Sequence, residues 1–144
     1  MSVTIKDLPD VEYVFPGAAA CAGCPSTIAL RIVGKALGEN AIMIMTPSCA
    51  VASIGPLPKS CYTISVLNIC FASAGASAAG LTMVLDALYE KGRLKGEKPT
   101  VFNWAGDGGT YDIGFQDISA AAERNDDFIH AIPAGNFPQA TPLK

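Results

Sequence analysis

The amino-acid sequence predicts an α/β domain built on a mainly parallel sheet. Three observations carry that prediction. Two short apolar segments of strand-compatible residues, Ala41–Met45 and Thr100–Trp104, alternate with stretches of helical periodicity. Each strand runs straight into a loop whose residues can carry chemistry, Thr46-Pro47-Ser48-Cys49 after the first and Gly106-Asp107-Gly108-Gly109 after the second. At 144 residues the chain is long enough for one domain with a real core. Alternating strands and helices are the pattern of a parallel sheet covered by helices. Open sheets of this kind bind ligands at the carboxyl ends of their strands.

Residues 1–15 are mixed in character and carry Pro9, with Pro16 just beyond; they read as an arm lying on a neighbouring subunit. Cys21 and Cys24 then form a Cys-x-x-Cys pair, two thiols on one loop that converge enough to share a metal or close a disulfide. A reactive dithiol, a zinc site and an iron–sulfur cluster all begin this way. Zinc usually asks for a second such pair, which this sequence lacks, whereas a cluster can draw cysteines from distant stretches. Two unrelated buried cysteines are the plain alternative.

Residues 26–37 read as a helix capped by Ser26 and ended by Gly38. Its apolar face is expected to be Ile28, Ile32, Val33 and Ala36, with Arg31 and Lys35 toward solvent. The strand Ala41–Met45 should be buried, its methionines filling core. Cys49, at the end of that strand, is placed where open sheets bind ligands; taken alone it would most often be a core cysteine, and with the upstream pair and the downstream Gly-Asp-Gly turn the ligand reading is preferred. Residues 55–59, with two prolines, form a loop. Residues 61–71 are apolar and β-prone, and Cys61 and Cys70 read as buried thiols because neither has ligand-like spacing. The small-residue run 72–80 suits close helix packing; that helix continues through Leu81, Val84, Leu85 and Leu88 and ends at Lys91-Gly92. Residues 93–99 form a charged surface connection.

The turn Gly106-Asp107-Gly108-Gly109 joins a strand to a helical pattern. Glycines in such a turn keep Cβ atoms out of the way of an anion, and backbone N–H groups favour phosphate. A bare Asp107 carboxylate would repel that phosphate unless a cation bridged them. Mg²⁺ suits the role, being commonly held by one or two carboxylates together with phosphate oxygens. Asp-Gly pairs are also common as plain turns.

Composition excludes several classes. The net charge of −3, without any Lys/Arg cluster, gives no electrostatic basis for nucleic-acid or anionic-membrane binding. The opening lacks a basic start followed by an apolar run, and no segment is long and apolar enough to span a bilayer, which together read as cytoplasmic. Five cysteines without an export signal argue for thiols or metal ligands rather than structural disulfides. Half the residues are hydrophobic and 16% charged, a balance suited to a subunit that buries faces against partners. His130, the single histidine, has no ligand or triad partner in sequence and reads as structural. Pro133, Pro138 and Pro142 forbid a central strand through the last residues, so 131–144 is read as a divergent tail.

The string GDGGT-x-DIG-x-Q, leading into a helix that ends Ala-Ala-Glu-Arg-Asn, resembles the thiamine-diphosphate motif in beta subunits of the 2-oxoacid:ferredoxin oxidoreductases. The segment PG-x-x-x-C-x-x-C resembles the opening of the same subunits. The resemblance implies a three-layer thiamine-diphosphate-binding fold over residues 16–130, incomplete at the C-terminus. It implies that Gly106, Gly108 and Gly109 line the diphosphate, that Asp107 binds Mg²⁺, and that Cys21, Cys24 and Cys49 ligate a 4Fe-4S cluster. No side chain of this chain is expected to be catalytic, because the cofactor carries the chemistry. The implied reaction is oxidative decarboxylation of a 2-oxoacid, pyruvate first among candidates, to acyl-CoA with electrons passed to ferredoxin. The implied partners are alpha, gamma and delta subunits.

The departures from the family are specific. Ala18 stands where many relatives have histidine, Pro25 where many have glycine, Pro47-Ser48-Cys49 where T-G-C is usual, and Ala72-Ser73 where Glu/Gly-Asn is usual. The family's fourth cluster cysteine and remaining Mg²⁺ ligands have no counterpart; Asn136 sits at a permitted spacing from the turn, in surroundings that match nothing. The chain alone is therefore expected to be inactive. The alternatives are an iron–sulfur electron-transfer module without thiamine chemistry, a non-catalytic fragment kept for interaction, and a dithiol oxidoreductase. The last lacks the order of elements that should follow Cys24.

Overall fold

The computed structural model describes residues 4–55 and 59–132. The expected tail from 133 onward, Asn136 included, lies outside them. The described elements are α1 (Pro25–Leu37), β1 (Ala41–Met45), α2 (Cys49–Ile54), β2 (Ser65–Asn68), α3 (Ala74–Glu90), β3 (Thr100–Trp104), α4 (Asp107–Tyr111), α5 (Phe115–Glu123) and β4 (Ile129–Ala131). The four strands pair only in parallel, in the order β2-β1-β3-β4. The α/β prediction holds, with β1 and β3 at the centre and in register from Ala41 opposite Thr100 to Met45 opposite Trp104.

Strand alternation distributes the core over both faces. Met43, Met45, Phe102 and Trp104 face Leu30 of α1 and Ala50 and Ile54 of α2. Ile44 and Val101 face the other way, onto Ala78 and Leu85 of α3. Helices thus cover the sheet on both sides, with α5 packed on α3. The small-residue run has its physical reason at Gly75. A Cβ there would lie 2.5 Å from the Asp117 carbonyl carbon and 2.9 Å from the Ile118 nitrogen, so only glycine lets α3 and α5 approach this closely.

Several expectations are corrected. Helix α1 buries Ser26, Leu30 and Gly34, while Ile28 and Ile32 remain 55% and 37% exposed. It docks by its small residues: a Cβ on Gly34 would sit 3.2 Å from the Tyr62 hydroxyl and 3.3 Å from Tyr13 Cβ. That orientation lets Arg31 Nε donate to Glu12 Oε2 at 2.6 Å and brings Lys35 Nζ to 2.8 Å from Glu12 Oε1. The helix cap is Cys24, with Pro25 in the first turn where its missing N–H costs nothing, and Ser26 is buried inside the helix. Within the chain, the end of the N-terminal arm pairs with residues 61–63: Phe15 N–H donates to Cys61 O and Thr63 N–H to Tyr13 O, an antiparallel bridge centred on Val14 and Tyr62. Those bonds occupy residues 61–63, and the parallel strand is confined to Ser65–Asn68. At the other end β4 runs over Ile129–Ala131 beside β3.

Candidate functional site

The sheet order creates a switch point. The chain leaves β1 for β2 on one side and then crosses to β3 on the other, so the connections after β1 and β3 diverge from neighbouring strand ends. In parallel sheets such a switch point is where ligands bind. Thr46, Ser48 and Cys49 come from the β1 end, and residues 105–109 from the β3 end. Phe71 follows β2. A Cβ on Gly106 would lie 3.4 Å from Ser48 Cβ, one on Gly108 2.9 Å from the Phe71 ring, and one on Gly109 3.0 Å from Thr46 Oγ1. None of these three glycines has a positive φ. The turn needs glycine for close approach rather than for an unusual dihedral, and Gly108 and Gly109 lie within α4.

Asp107 is exposed at the start of α4, and its Oδ1 accepts the Gly108 N–H at 2.9 Å. Behind it, the Thr110 hydroxyl donates to Gly106 O at 2.8 Å, and His130 Nε2 lies 3.1 Å from Thr110 Oγ1. With the Thr110 proton on the carbonyl, it is the Nε2–H tautomer of His130 that can donate to Thr110 Oγ1. The buried Nδ1 has no partner among the described residues. Burial holds the ring's pKa below the usual histidine value, favouring this neutral form. The buried Thr46 hydroxyl, against which Gly109 packs, is likewise without a partner, as are both side-chain polar atoms of Asn103.

The exposed Asp107 carboxylate fits one ligand position of a Mg²⁺–diphosphate group, which commonly takes one or two carboxylates from a protein, with water and phosphate oxygens supplying the rest.

The cysteines are less closely assembled. Cys21 is exposed, Cys24 is half-buried at the α1 N-cap, and Cys49 is exposed as the first residue of α2. The Thr27 hydroxyl, followed by the backbone N–H groups of Thr27 and Ser26, lowers the Cys24 pKa. Their elements adjoin: α1 packs on α2, and Ala19 N–H donates to Ser53 O at 2.7 Å. Among the described residues, however, no three His, Cys, Asp or Glu side chains are gathered to hold a metal ion. The three thiols as they stand are not a ligand set. Cys61 is half-buried and Cys70 exposed, against the expectation of buried thiols. The reason lies in β2, an edge strand whose last residues and following loop stay at the surface.

Sequence reasoning placed Gly106, Asp107, Gly108, Gly109 and Cys49 together at the strand ends, and the structure has them there. It gave Thr46 and Thr110 no role. Thr110 sits inside the GDGGT string, but its bond to a histidine 20 residues away has no local signature.

These features define an α/β domain whose sheet has a switch point flanked by a glycine turn bearing one exposed carboxylate. No protein-family model matches the chain. Among curated proteins it is similar to pyruvate synthase subunit PorB of Methanothermobacter thermautotrophicus, with 36% identity over 123 residues, covering 85% of this chain and 41% of that protein. Ketoisovalerate oxidoreductase subunit VorB of Pyrococcus horikoshii is 39% identical over 124 residues, 85% of this chain and 39% of the relative. PorB of Methanocaldococcus jannaschii is 34% identical over 127 residues, 88% of this chain and 43% of the relative. Over most of its length the chain is thus similar to PorB subunits of pyruvate synthase and VorB subunits of ketoisovalerate oxidoreductase. It spans about two-fifths of their length.

Proposed function

We propose that this chain is the cofactor-binding part of the beta subunit of a 2-oxoacid:ferredoxin oxidoreductase, holding thiamine diphosphate through Mg²⁺ at the GDGG turn. The observation that supports this most is the exposed Asp107 carboxylate on a turn packed against Thr46, Ser48 and Phe71 at the switch point, in a chain similar to PorB and VorB. Asp107 would ligate the Mg²⁺, and Gly106, Gly108 and Gly109 would line the diphosphate. When bound, thiamine diphosphate supplies a nucleophilic carbon and an electron sink for decarboxylating a 2-oxoacid. The chain's own residues would bind and orient: Asp107 presents its carboxylate, and Ser48, Phe71 and Thr46 pack against the turn that carries it.

Pyruvate and 2-oxoisovalerate are the leading substrates, from the names of the relatives, with CoA as acyl acceptor and ferredoxin as electron acceptor. The other subunits of such an enzyme are its partners, and the cytoplasm is its place. Among the described residues no helix is long and apolar enough to cross a membrane. Cys21, Cys24 and Cys49 are the thiols that would ligate a 4Fe-4S cluster. They are not gathered into a ligand set among the described residues.

The test is anaerobic co-expression with the cognate alpha, gamma and delta subunits, followed by iron and sulfide analysis and a viologen-reduction assay. The proposal expects reduction that depends on a 2-oxoacid and CoA and is lost with Asp107→Ala. An assembled complex that reduces viologen equally well with Asp107→Ala would refute the site. Retention of iron in a triple Cys21→Ser, Cys24→Ser, Cys49→Ser variant would refute the cluster assignment alone.

A further inference from the structure

Helix α4 has only five residues, too few to be stable by itself, so its place is set by what it touches. Gly108 and Gly109 rest on Phe71 and Thr46 by van der Waals contact, which fixes distance but not direction. Direction comes from hydrogen bonds. The Thr110 hydroxyl donates to the Gly106 carbonyl within the turn, an ordinary bond for threonine in a helix. Less ordinary is the second bond on the same oxygen, from a half-buried ring on a different strand. His130 is anchored by the pairing of β4 with β3, where it lies opposite Asn103, and by the Ala105 N–H bond to Ala131 O at 3.3 Å. A continuous chain therefore runs from β4 to the residue before Asp107: His130 Nε2 bonds Thr110 Oγ1, and the Thr110 hydroxyl donates to Gly106 O.

We propose that His130 is a positioning residue for the Asp107 carboxylate, acting through Thr110 to fix the Gly106 carbonyl and so the direction in which the turn presents Asp107 to a Mg²⁺–diphosphate ligand. The ligand in this statement rests on the function proposed above; the positioning of the turn does not. His130 touches neither ligand nor reacting atoms. Its Nδ1 has no partner among the described residues, and Asn103, its register partner on the same face, has an unmet donor and acceptor. This polar pair on an otherwise apolar face of the sheet costs stability, which makes sense if one member holds the turn.

Two measurements on the 144-residue chain separate the two claims. The first, hydrogen–deuterium exchange, needs no ligand. His130→Phe and Thr110→Val should each speed exchange over residues 106–111 by up to about tenfold, the loss of one hydrogen bond, with exchange in β1 unchanged. His130→Gln, which keeps an N–H at similar reach, and Thr110→Ser, which keeps the hydroxyl, should stay near wild type. The second is titration with thiamine diphosphate and Mg²⁺, in which Kd should rise in the first pair of variants and recover in the second. Exchange over 106–111 left unmoved by His130→Phe and Thr110→Val would overturn the proposal. So would a failure of His130→Gln and Thr110→Ser to restore it. If His130→Phe does not fold, the two Thr110 variants decide. If the exchange pattern holds while the wild type binds no thiamine diphosphate, the positioning of the turn stands and the cofactor reading falls.

Discussion

Gly75 and Gly80 lie five residues apart in α3, and the structure predicts opposite signs for the same substitution. A glycine in a helix interior costs about 1 kcal/mol relative to alanine, so propensity alone says that both Gly→Ala changes stabilise. At Gly80 a Cβ would meet nothing within 4 Å, and the propensity gain should appear undiminished. At Gly75 the Cβ would lie 2.5 Å from the Asp117 carbonyl carbon and 2.9 Å from the Ile118 nitrogen. Ordinary contact requires α5 to retreat by about 1 Å along its whole seam with α3, and such overpacking costs about 1–3 kcal/mol, more where backbone must move. The net effect of Gly75→Ala should be a loss of about 1–2 kcal/mol, several degrees in melting temperature, whereas Gly80→Ala should gain up to about 1 kcal/mol. Urea unfolding followed by circular dichroism measures both. A Gly75→Ala variant as stable as Gly80→Ala would refute the close α3–α5 crossing and the layer arrangement built on it.

The rotation of α1 separates Leu30 from Ile28: Leu30→Ala should cost about 2–5 kcal/mol and Ile28→Ala within about 0.5 kcal/mol of nothing, again by urea unfolding. Equal losses would return Ile28 to the buried face that the sequence predicted. Burial depresses the His130 pKa, so below the ordinary value of 6.5 the unfolded chain takes up a proton that the folded ring resists. That contribution is fully present above pH 6.5 and is lost as the pH falls toward the depressed folded value. His130→Gln should flatten the decline between pH 7 and 5, and an unchanged slope would mean that the ring is not buried in solution.

The central strands were legible because Ala41–Met45 and Thr100–Trp104 are short apolar runs bounded by turn residues, and the parallel sheet followed from the helices between them. The glycine turn was legible as a motif, but its reason was not. Sequence suggests room for an anion, whereas Gly108 and Gly109 pack closely against Phe71 and Thr46, 37 and 63 positions earlier in the chain. The α1 face was misread because its apolar residues surround much of the helix. What selects Leu30 over Ile28 is the small surface of Ser26 and Gly34, matched by Tyr13 and Tyr62 from two distant segments. The buried state expected of Cys70 failed for a related reason. A β-prone sequence does not say whether its strand will be central or at an edge, and β2 has a neighbour on one side only among the described strands. The link from His130 to Thr110 depends on strand register, which local spacing does not encode.

The most direct measurement is binding of thiamine diphosphate to the purified chain with and without Mg²⁺. Trp104, the single tryptophan, is buried two residues before Gly106 and serves as a fluorescent reporter alongside calorimetry. The account predicts saturable binding that requires Mg²⁺ and is weakened at least about tenfold by Asp107→Asn, the loss of a charged metal ligand. Binding of equal strength in Asp107→Asn, or none in a folded wild-type chain, would contradict it.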